Sequence, residues 1–324
     1  MKHLACIAVS LLAVVGASPA VAPSPDELLD PELKQYEPVQ GVAGSLKSVG
    51  SDTMNNLMTF WAEQLQKHYP GVSIEVTGKG SSTAPPALTE GQASFGPMSR
   101  QMKSKEIDAF ESEWGYKPTL LRTGIDCLAV FVHKDCPLDE ITVDKVRMVF
   151  SVDGPDMTWG DLGVEDPAYK FQRVVLYGRN SASGTYGYFK QQALGDADYK
   201  SSVKEQPGSS SVVQAVGADR FSMGYSGLGF RTQEVKVLPI VDEFGDRIEP
   251  KAETAFDGSY PYARFLYVYI NKDPNRALDP LREQFIRLIF SRDGQEAVLK
   301  DGYFPINAAI ARQQLEELGL EAHF

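Results

Sequence analysis

Two almost unbroken apolar runs constrain the fold of this chain more than any other feature. "CLAVFVH" spans Cys127–His133, and "YARFLYVYIN" spans Tyr262–Asn271. Each has the length of one strand. A strand without polar alternation is buried on both faces, as in the parallel sheets of α/β proteins. Helical and strand patterns alternate around these runs. Asp52–Tyr69 places Met54, Leu57, Met58, Trp61 and Leu65 at helical spacing, and "VSIEVTG" alternates as a strand. Further helices are expected over residues 103–114, 142–150, 185–194 and 279–290, and further strands at "SLKSV" and "RVVLYG". The pattern predicts an α/β protein with mainly parallel sheets.

The chain has 324 residues, enough for one large domain or two α/β lobes. Its formal charge of −11 argues against nucleic acid, which needs a basic face. A small anion would have to be held by local groups. Residues 1–22 read as an export signal: Met1-Lys2-His3 is followed by "LACIAVSLLAVVGA" and then small residues. The mature chain is expected to be soluble and periplasmic. Residues 23–44, rich in proline and acidic residues, read as a flexible leader. Cys6 falls in the signal, and Cys127 and Cys136 stand at two ends of a strand rising roughly 3.3 Å per residue, so no disulfide is expected between them.

Four loop-to-helix junctions share one composition. They are "VGSDTMNN", "GKGSSTAP", "GPMSRQM" and "GRNSASGTYG", the last beginning at Gly178. Each brings Ser or Thr, with glycine beside it, to an expected helix start. A helix N-terminus exposes unpaired N–H groups at the positive end of its dipole, glycine lets backbone come close, and hydroxyls donate to oxyanions. Capping alone accounts for any single junction. Four together, one with Arg179, point to a shared anion site.

Enzyme chemistry has less support. No serine lies in a G-x-S-x-G elbow. Of four histidines, His3 is in the signal, His323 in the terminal tail, His68 at a helix end and His133 at the close of a buried strand. "GKGSST" misses the third glycine of a dinucleotide loop, and no Walker A, H-E-x-x-H or zinc-spaced cysteine pair occurs. Neither metal nor other cofactor is expected.

"SVGSDTM", "GKGSSTA", "FGPMSRQM", "IDCLAVFVHKDCPL", "TWGDLG", "GRNSASGTYGYF" and "MGYSGLGF" follow one another in order from Leu46 onward. As a set they resemble the phosphate-binding proteins of bacterial ABC phosphate-uptake systems. The resemblance implies a type II periplasmic-binding-protein fold: two α/β lobes, two crossover strands, and a ligand cleft between the lobes. It places residues 45–124 and 262–324 in lobe I and 125–261 in lobe II. By motif, Ser51, Thr53 and Ser81 would reach the phosphate from lobe I, and Arg179, Ser183, Gly184 and Thr185 from lobe II. Well-known members carry an aspartate at the position matching Ser99, and serine here is what another branch of the family would carry. The acceptor for the proton of HPO₄²⁻, which excludes sulfate, must then come from Asp52 or Asp126, with Asp52 favoured by its place in the "GSDT" loop.

The expectation is a monomeric, non-enzymatic phosphate receptor that serves a membrane permease. The rivals are a receptor for sulfate or molybdate, a secreted serine hydrolase acting through Ser183, and a phosphate scavenger without a transporter.

Overall fold

A computed structural model describes residues 25–322, with side chains from Glu27 onward. The expected export signal, His3, Cys6 and His323 lie outside the described residues. After a short helix α1 (Pro25–Leu28), the chain forms β1 (Ser45–Gly50), α2 (Asn55–His68), β2 (Ser73–Gly78), α3 (Ala84–Thr89), β3 (Gly96–Met98) and α4 (Ser104–Trp114). The long β4 (Thr119–His133) leads into a middle section. That section holds β5 (Ile141–Thr142), α5 (Val143–Phe150), β6 (Val175–Arg179), α6 (Gly184–Leu194), β7 (Lys204–Gln206) and α7 (Ser209–Ala218). It continues through β8 (Ser222–Gly227), β9 (Val235–Leu238), β10 (Ile240–Val241), β11 (Arg247–Ile248) and α8 (Ala252–Phe256). Then β12 (Ala263–Ile270) returns to the first half, which α9 (Pro280–Ile289), α10 (Arg292–Lys300) and α11 (Ala308–Glu317) complete.

The helices start and stop where local chemistry requires. Thr142, Ser183, Asp279, Ser291 and Asn307 cap their helices with side-chain oxygens that accept backbone N–H bonds. α4 and α6 stop at Gly115 and Gly195, whose φ of 77° and 60° is the left-handed conformation that glycine adopts without strain. α2 buries Leu57, Met58, Trp61, Ala62 and Leu65 on one face. Full burial of each large side chain contributes about 1.5–3 kcal/mol. The Trp61 indole also finds an acceptor, the Gly294 carbonyl at 2.8 Å.

Strand direction departs from the sequence expectation. β1 and β2 are parallel, and β6 is parallel to β7 and β8. β4, however, runs antiparallel to all three of its partners, β12, β8 and β9. Its run Thr123–Val132 is buried, as the apolar composition demanded, but in a mixed sheet. The reason lies in its length. Thr119–Cys127 pairs with β12, and Leu128–His133 pairs with β8 and β9, so one strand serves two neighbourhoods.

The cores divide at the same place. One core takes Leu33 to Leu121 and Leu266 to Leu318, with Ala84–Phe110, Tyr267 and Tyr269 as a neighbouring cluster. The other takes Ile125 to Tyr262. The change falls between Leu121 and Ile125 on β4, and between Tyr262 and Leu266 at the start of β12. Both free cysteines, Cys127 and Cys136, are buried in the second core.

The stretch read as a flexible leader is anchored over Leu29–Tyr36, while most residues from Glu37 to Gly44 are exposed. Leu29, Leu33 and Tyr36 are buried. The Tyr36 hydroxyl meets the Tyr69 hydroxyl at 2.9 Å and donates to Gln284 Oε1 at 2.8 Å, and its N–H donates to Asp293. The acidic residues that suggested disorder are themselves used: Asp30 accepts the N–H of Ala308, the first residue of α11.

Candidate functional site

The four junctions converge. β1 ends at Gly50, and Ser51 N donates to the Pro97 carbonyl at 2.8 Å, which brings the "GSDT" and "GPMS" loops together. Ser51 Oγ donates to Ser99 Oγ at 3.2 Å, and Ser81 Oγ lies 3.2 Å from the same hydroxyl while accepting Ser99 N at 3.0 Å. All three serines are buried.

The fourth junction comes from the other half and closes against these three. Ser183 Oγ accepts from Thr185 N and Tyr186 N at 3.1 and 3.4 Å, capping α6 and leaving its own hydrogen to donate. Thr185 Oγ1 lies 3.0 Å from Thr53 Oγ1. Ser82 N and Oγ both donate to the Ala182 carbonyl, at 3.2 and 2.6 Å. Two glycines make this approach possible. Gly80, at φ 118°, would place a Cβ 2.6 Å from the Ala182 carbonyl oxygen. A Cβ on Gly184 would stand 2.3 Å from Ser81 Oγ and 2.6 Å from Ser99 Oγ.

Two ion pairs flank the hydroxyls. Arg179, at the end of β6, is 1% exposed. Its Nη1 donates to Ser209 Oγ at 2.6 Å, its Nη2 donates to the Pro207 carbonyl, and Asp52 Oδ2 lies 3.2 Å from Nη2. Its Nε is buried with no acceptor among the described residues. Burial pushes the guanidinium below its ordinary pKa, and Asp52 opposes that shift. Asp52 also accepts the N–H of Ser209, the first residue of α7, at 2.9 Å, so it reaches from one half to cap a helix of the other.

The second pair is Arg264–Asp126. Asp126 Oδ2 takes Nη2 at 2.7 Å and Nε at 3.1 Å. Asp126 Oδ1 is buried and has no partner among the described residues. Arg264 also donates to the Ser99 carbonyl at 2.7 Å and to Thr185 Oγ1 at 2.9 Å.

Ser51, Asp52, Thr53, Ser81, Ser99, Asp126, Arg179, Ser183, Gly184 and Thr185 therefore form one connected seam between the two cores. Sequence reading missed Arg264 and Ser209. Arg264 was legible in principle, because a charge inside "YARFLYVYIN" must find a buried partner. Ser209 carried no such mark; its "GSSS" context is an ordinary helix start. The described histidines are engaged elsewhere: His133 Nδ1 accepts from Asp135 N, and His68 packs edge-on against Tyr36. Ser183 is a helix cap, not one member of a Ser–His pair. Among the described residues no cluster of three or more His, Cys, Asp or Glu could hold a metal ion, and no helix is long and apolar enough to cross a membrane.

What the arrangement can do chemically follows from its two orphaned groups. The seam offers hydroxyl donors, one cationic donor, and one anionic acceptor, all shielded from water. It suits an oxyanion that presents several bare oxygens and at least one O–H.

Comparison with known proteins gives concordant results. The family described as "PBP superfamily domain" matches residues 36–293. The chain is 48% identical over 327 residues to the phosphate-binding protein PstS of Pseudomonas aeruginosa, covering 99% of both chains. It is 27% identical over 259 residues to PstS of Staphylococcus haemolyticus, covering 78% of this chain and 79% of that one. Among solved structures, an ABC-type phosphate transport receptor from Vibrio cholerae shares its fold with a TM-score of 0.65 at 19% identity, over 81% of this chain and 100% of the other.

Proposed function

Since this chain belongs to the PBP superfamily, within the phosphate-binding proteins of bacterial ABC uptake systems, we propose that the seam between its halves is the phosphate site. The protein is a solute receptor and not an enzyme: it binds inorganic phosphate and delivers it to an ABC transporter permease. It works as a monomer in the periplasm after residues 1–22 are removed. Residues 29–124 and 262–322 act as one lobe and 125–261 as the other. They hinge where β4 and the start of β12 pass between the cores.

The observation that carries the residue assignment is the pair of orphaned groups. Among the described residues, Arg179 Nε is a buried donor without an acceptor, and Asp126 Oδ1 is a buried acceptor without a donor. Such groups are costly unless something pairs with them. Hydrogen phosphate supplies both needs, with bare oxygens for Arg179 and a hydroxyl for Asp126. Arg179 carries the ligand's charge, and Thr53, Ser81, Ser183 and Thr185 donate hydroxyl or backbone N–H bonds, with Gly184 admitting the close approach and Ser51, whose N–H and hydroxyl already donate to Pro97 and Ser99, bracing the loop. Ser99 ties Ser51 and Ser81 together and leaves the acceptor role to Asp126. Asp52 was the favoured acceptor from sequence, but its side chain is 27% exposed and its Oδ2 holds Arg179 and Ser209 N across the two halves, whereas the Asp126 side chain is fully buried. It serves better as a latch between the halves.

A sulfate or molybdate receptor fits less well. Either anion is fully ionised near neutral pH and would set a bare oxygen against Asp126 Oδ1. Sites built around a specific ligand hydrogen reject analogues lacking it by about 10⁴–10⁵-fold. The test is calorimetric titration with phosphate and sulfate. Arg179→Ala removes a charge-assisted bond worth about 1.5–3 kcal/mol and should weaken phosphate at least about tenfold. Asp126→Asn should erase the preference for phosphate over sulfate. An Arg179→Ala protein with wild-type phosphate affinity refutes the assignment of the seam.

A further inference from the structure

Arg264 has no ligand role in the reading above, yet it is 5% exposed and lies at the centre of the seam. It faces Asp126 directly across the two crossover strands, in the register Arg264↔Asp126. We propose that Arg264 is the positioning residue that sets the choice of phosphate over sulfate, by clamping Asp126 through one oxygen and leaving the other to accept the ligand's proton. The proposal rests on Asp126 being the acceptor.

The geometry is specific. Two donors of one guanidinium, Nε and Nη2, converge on Oδ2 at 3.1 and 2.7 Å. The familiar fork-to-fork arrangement would occupy both carboxylate oxygens and leave nothing for a ligand. Here Oδ1 stays without a partner while the carboxylate keeps its counter-charge, which a buried anion requires. A carboxylate held in this way is acceptor-only and has one acceptor atom to offer.

The guanidinium is itself held on every side. Nη1 donates to the Ser99 carbonyl at 2.7 Å, and Nη2 donates to Thr185 Oγ1 at 2.9 Å. The Tyr188 ring covers it with the centroid 5.4 Å from Cζ, and the Tyr188 hydroxyl is tied to the Ala263 carbonyl. Four of the five N–H groups therefore go to protein acceptors, so Arg264 belongs to the framework. Arg179, which keeps a buried Nε without an acceptor, is the arginine that faces the ligand. The Ser99 backbone carbonyl, not its side chain, braces the group that aims the acceptor.

The test compares Arg264→Lys and Arg264→Gln with Asp126→Asn, using phosphate and sulfate titrations on the full chain and a thermal melt of each variant. A merely structural defect weakens both anions together and leaves their ratio unchanged. Loss of aim changes the ratio. Lysine keeps the charge but has a single ammonium group, which cannot place two donors on Oδ2 while also reaching Ser99 and Thr185. Arg264→Lys should therefore lower the phosphate-to-sulfate ratio at least tenfold, and Arg264→Gln further, toward the value of Asp126→Asn. If Arg264→Gln fails to fold, Arg264→Lys alone decides. If Asp126→Asn loses discrimination while Arg264→Lys retains the wild-type ratio, the positioning role is wrong and the acceptor assignment stands. If Asp126→Asn keeps full discrimination, the acceptor assignment itself is wrong.

Discussion

Gly184→Ala should separate binding from folding. Gly184 is the first residue of α6, where alanine is a better helix former than glycine. In the closed arrangement, however, the added methyl would lie 2.3 Å from Ser81 Oγ, 2.6 Å from Ser99 Oγ and 2.9 Å from Ser81 Cβ. A rotamer change could move Ser81 Oγ, at the loss of its bond to Ser99 N. The Cβ contact cannot be relieved that way, because Cβ moves only with the backbone. Restoring ordinary contact, which begins at 3.4 Å, requires the halves to part by about 0.5 Å at this point. Thr53–Thr185 at 3.0 Å and Ser82 N–Ala182 O at 3.2 Å would then stretch to or past the limit of a hydrogen bond. Losing two or three such bonds at about 0.5–1.5 kcal/mol each amounts to about 1–4.5 kcal/mol, a loss of about 5- to 1,600-fold in phosphate affinity. The assay is calorimetric phosphate titration, with a thermal melt in the absence of phosphate as control. The expected outcome is much weaker binding at an unchanged or slightly higher melting temperature. Affinity within threefold of wild type in a folded variant would refute the claim that this contact gates closure.

Three further outcomes test other parts of the structure. Asp52→Asn should weaken phosphate about fivefold through a faster dissociation rate, because the Arg179 ion pair contributes about 1 kcal/mol while asparagine can still cap α7, and should leave the phosphate-to-sulfate ratio unchanged; stopped-flow displacement with both anions checks this, and a changed ratio counts against the latch. Burial pushes the Asp301 carboxyl up from 3.8 to about 7, so the folded state binds its proton more tightly than the unfolded state. That contribution is complete below pH 4 and is lost as pH rises toward 7, by at most about 4 kcal/mol. Asp301→Asn should flatten the stability profile over that range and exceed wild type at pH 8, and parallel melting curves would contradict it. Tyr36→Phe removes the hydroxyl that joins residues 29–44 to Tyr69 and Gln284 and should cost about 1–3 kcal/mol in urea unfolding, whereas no change would restore the leader to a flexible segment.

Local chemistry was readable without coordinates. The caps at Thr142, Ser183 and Asp279 lie where Ser, Thr or Asp precedes a helical pattern, since a cap depends on residues within a few positions of it. The same locality made the four junctions visible as candidate anion donors, and the ordered motifs tied them to one family. Arg179 stood out because it is the charge in the richest of them. The burial of "CLAVFVH" was also legible, because apolar composition alone decides it.

What tertiary structure alone decided were the relations between distant segments. β4 is antiparallel because its two parts meet β12 and β8, and no local pattern encodes strand direction in a strand buried on both faces. Residues 29–36 are ordered by partners at Asp293, Gln284 and Ala308, so their acidic, proline-rich composition described the segment without its anchors. Asp52 and Asp126 were both candidates in sequence, with Asp52 favoured, and their roles separated only when partners arrived from far along the chain. Arg179 and Ser209 engaged Oδ2 of a part-exposed Asp52, while the cross-strand register set Arg264 against Oδ2 of Asp126 and left its buried Oδ1 without a partner among the described residues. Whether a carboxylate is a latch or an acceptor depends on how deeply it is buried and which distant groups reach it, and that is a property of the folded contact.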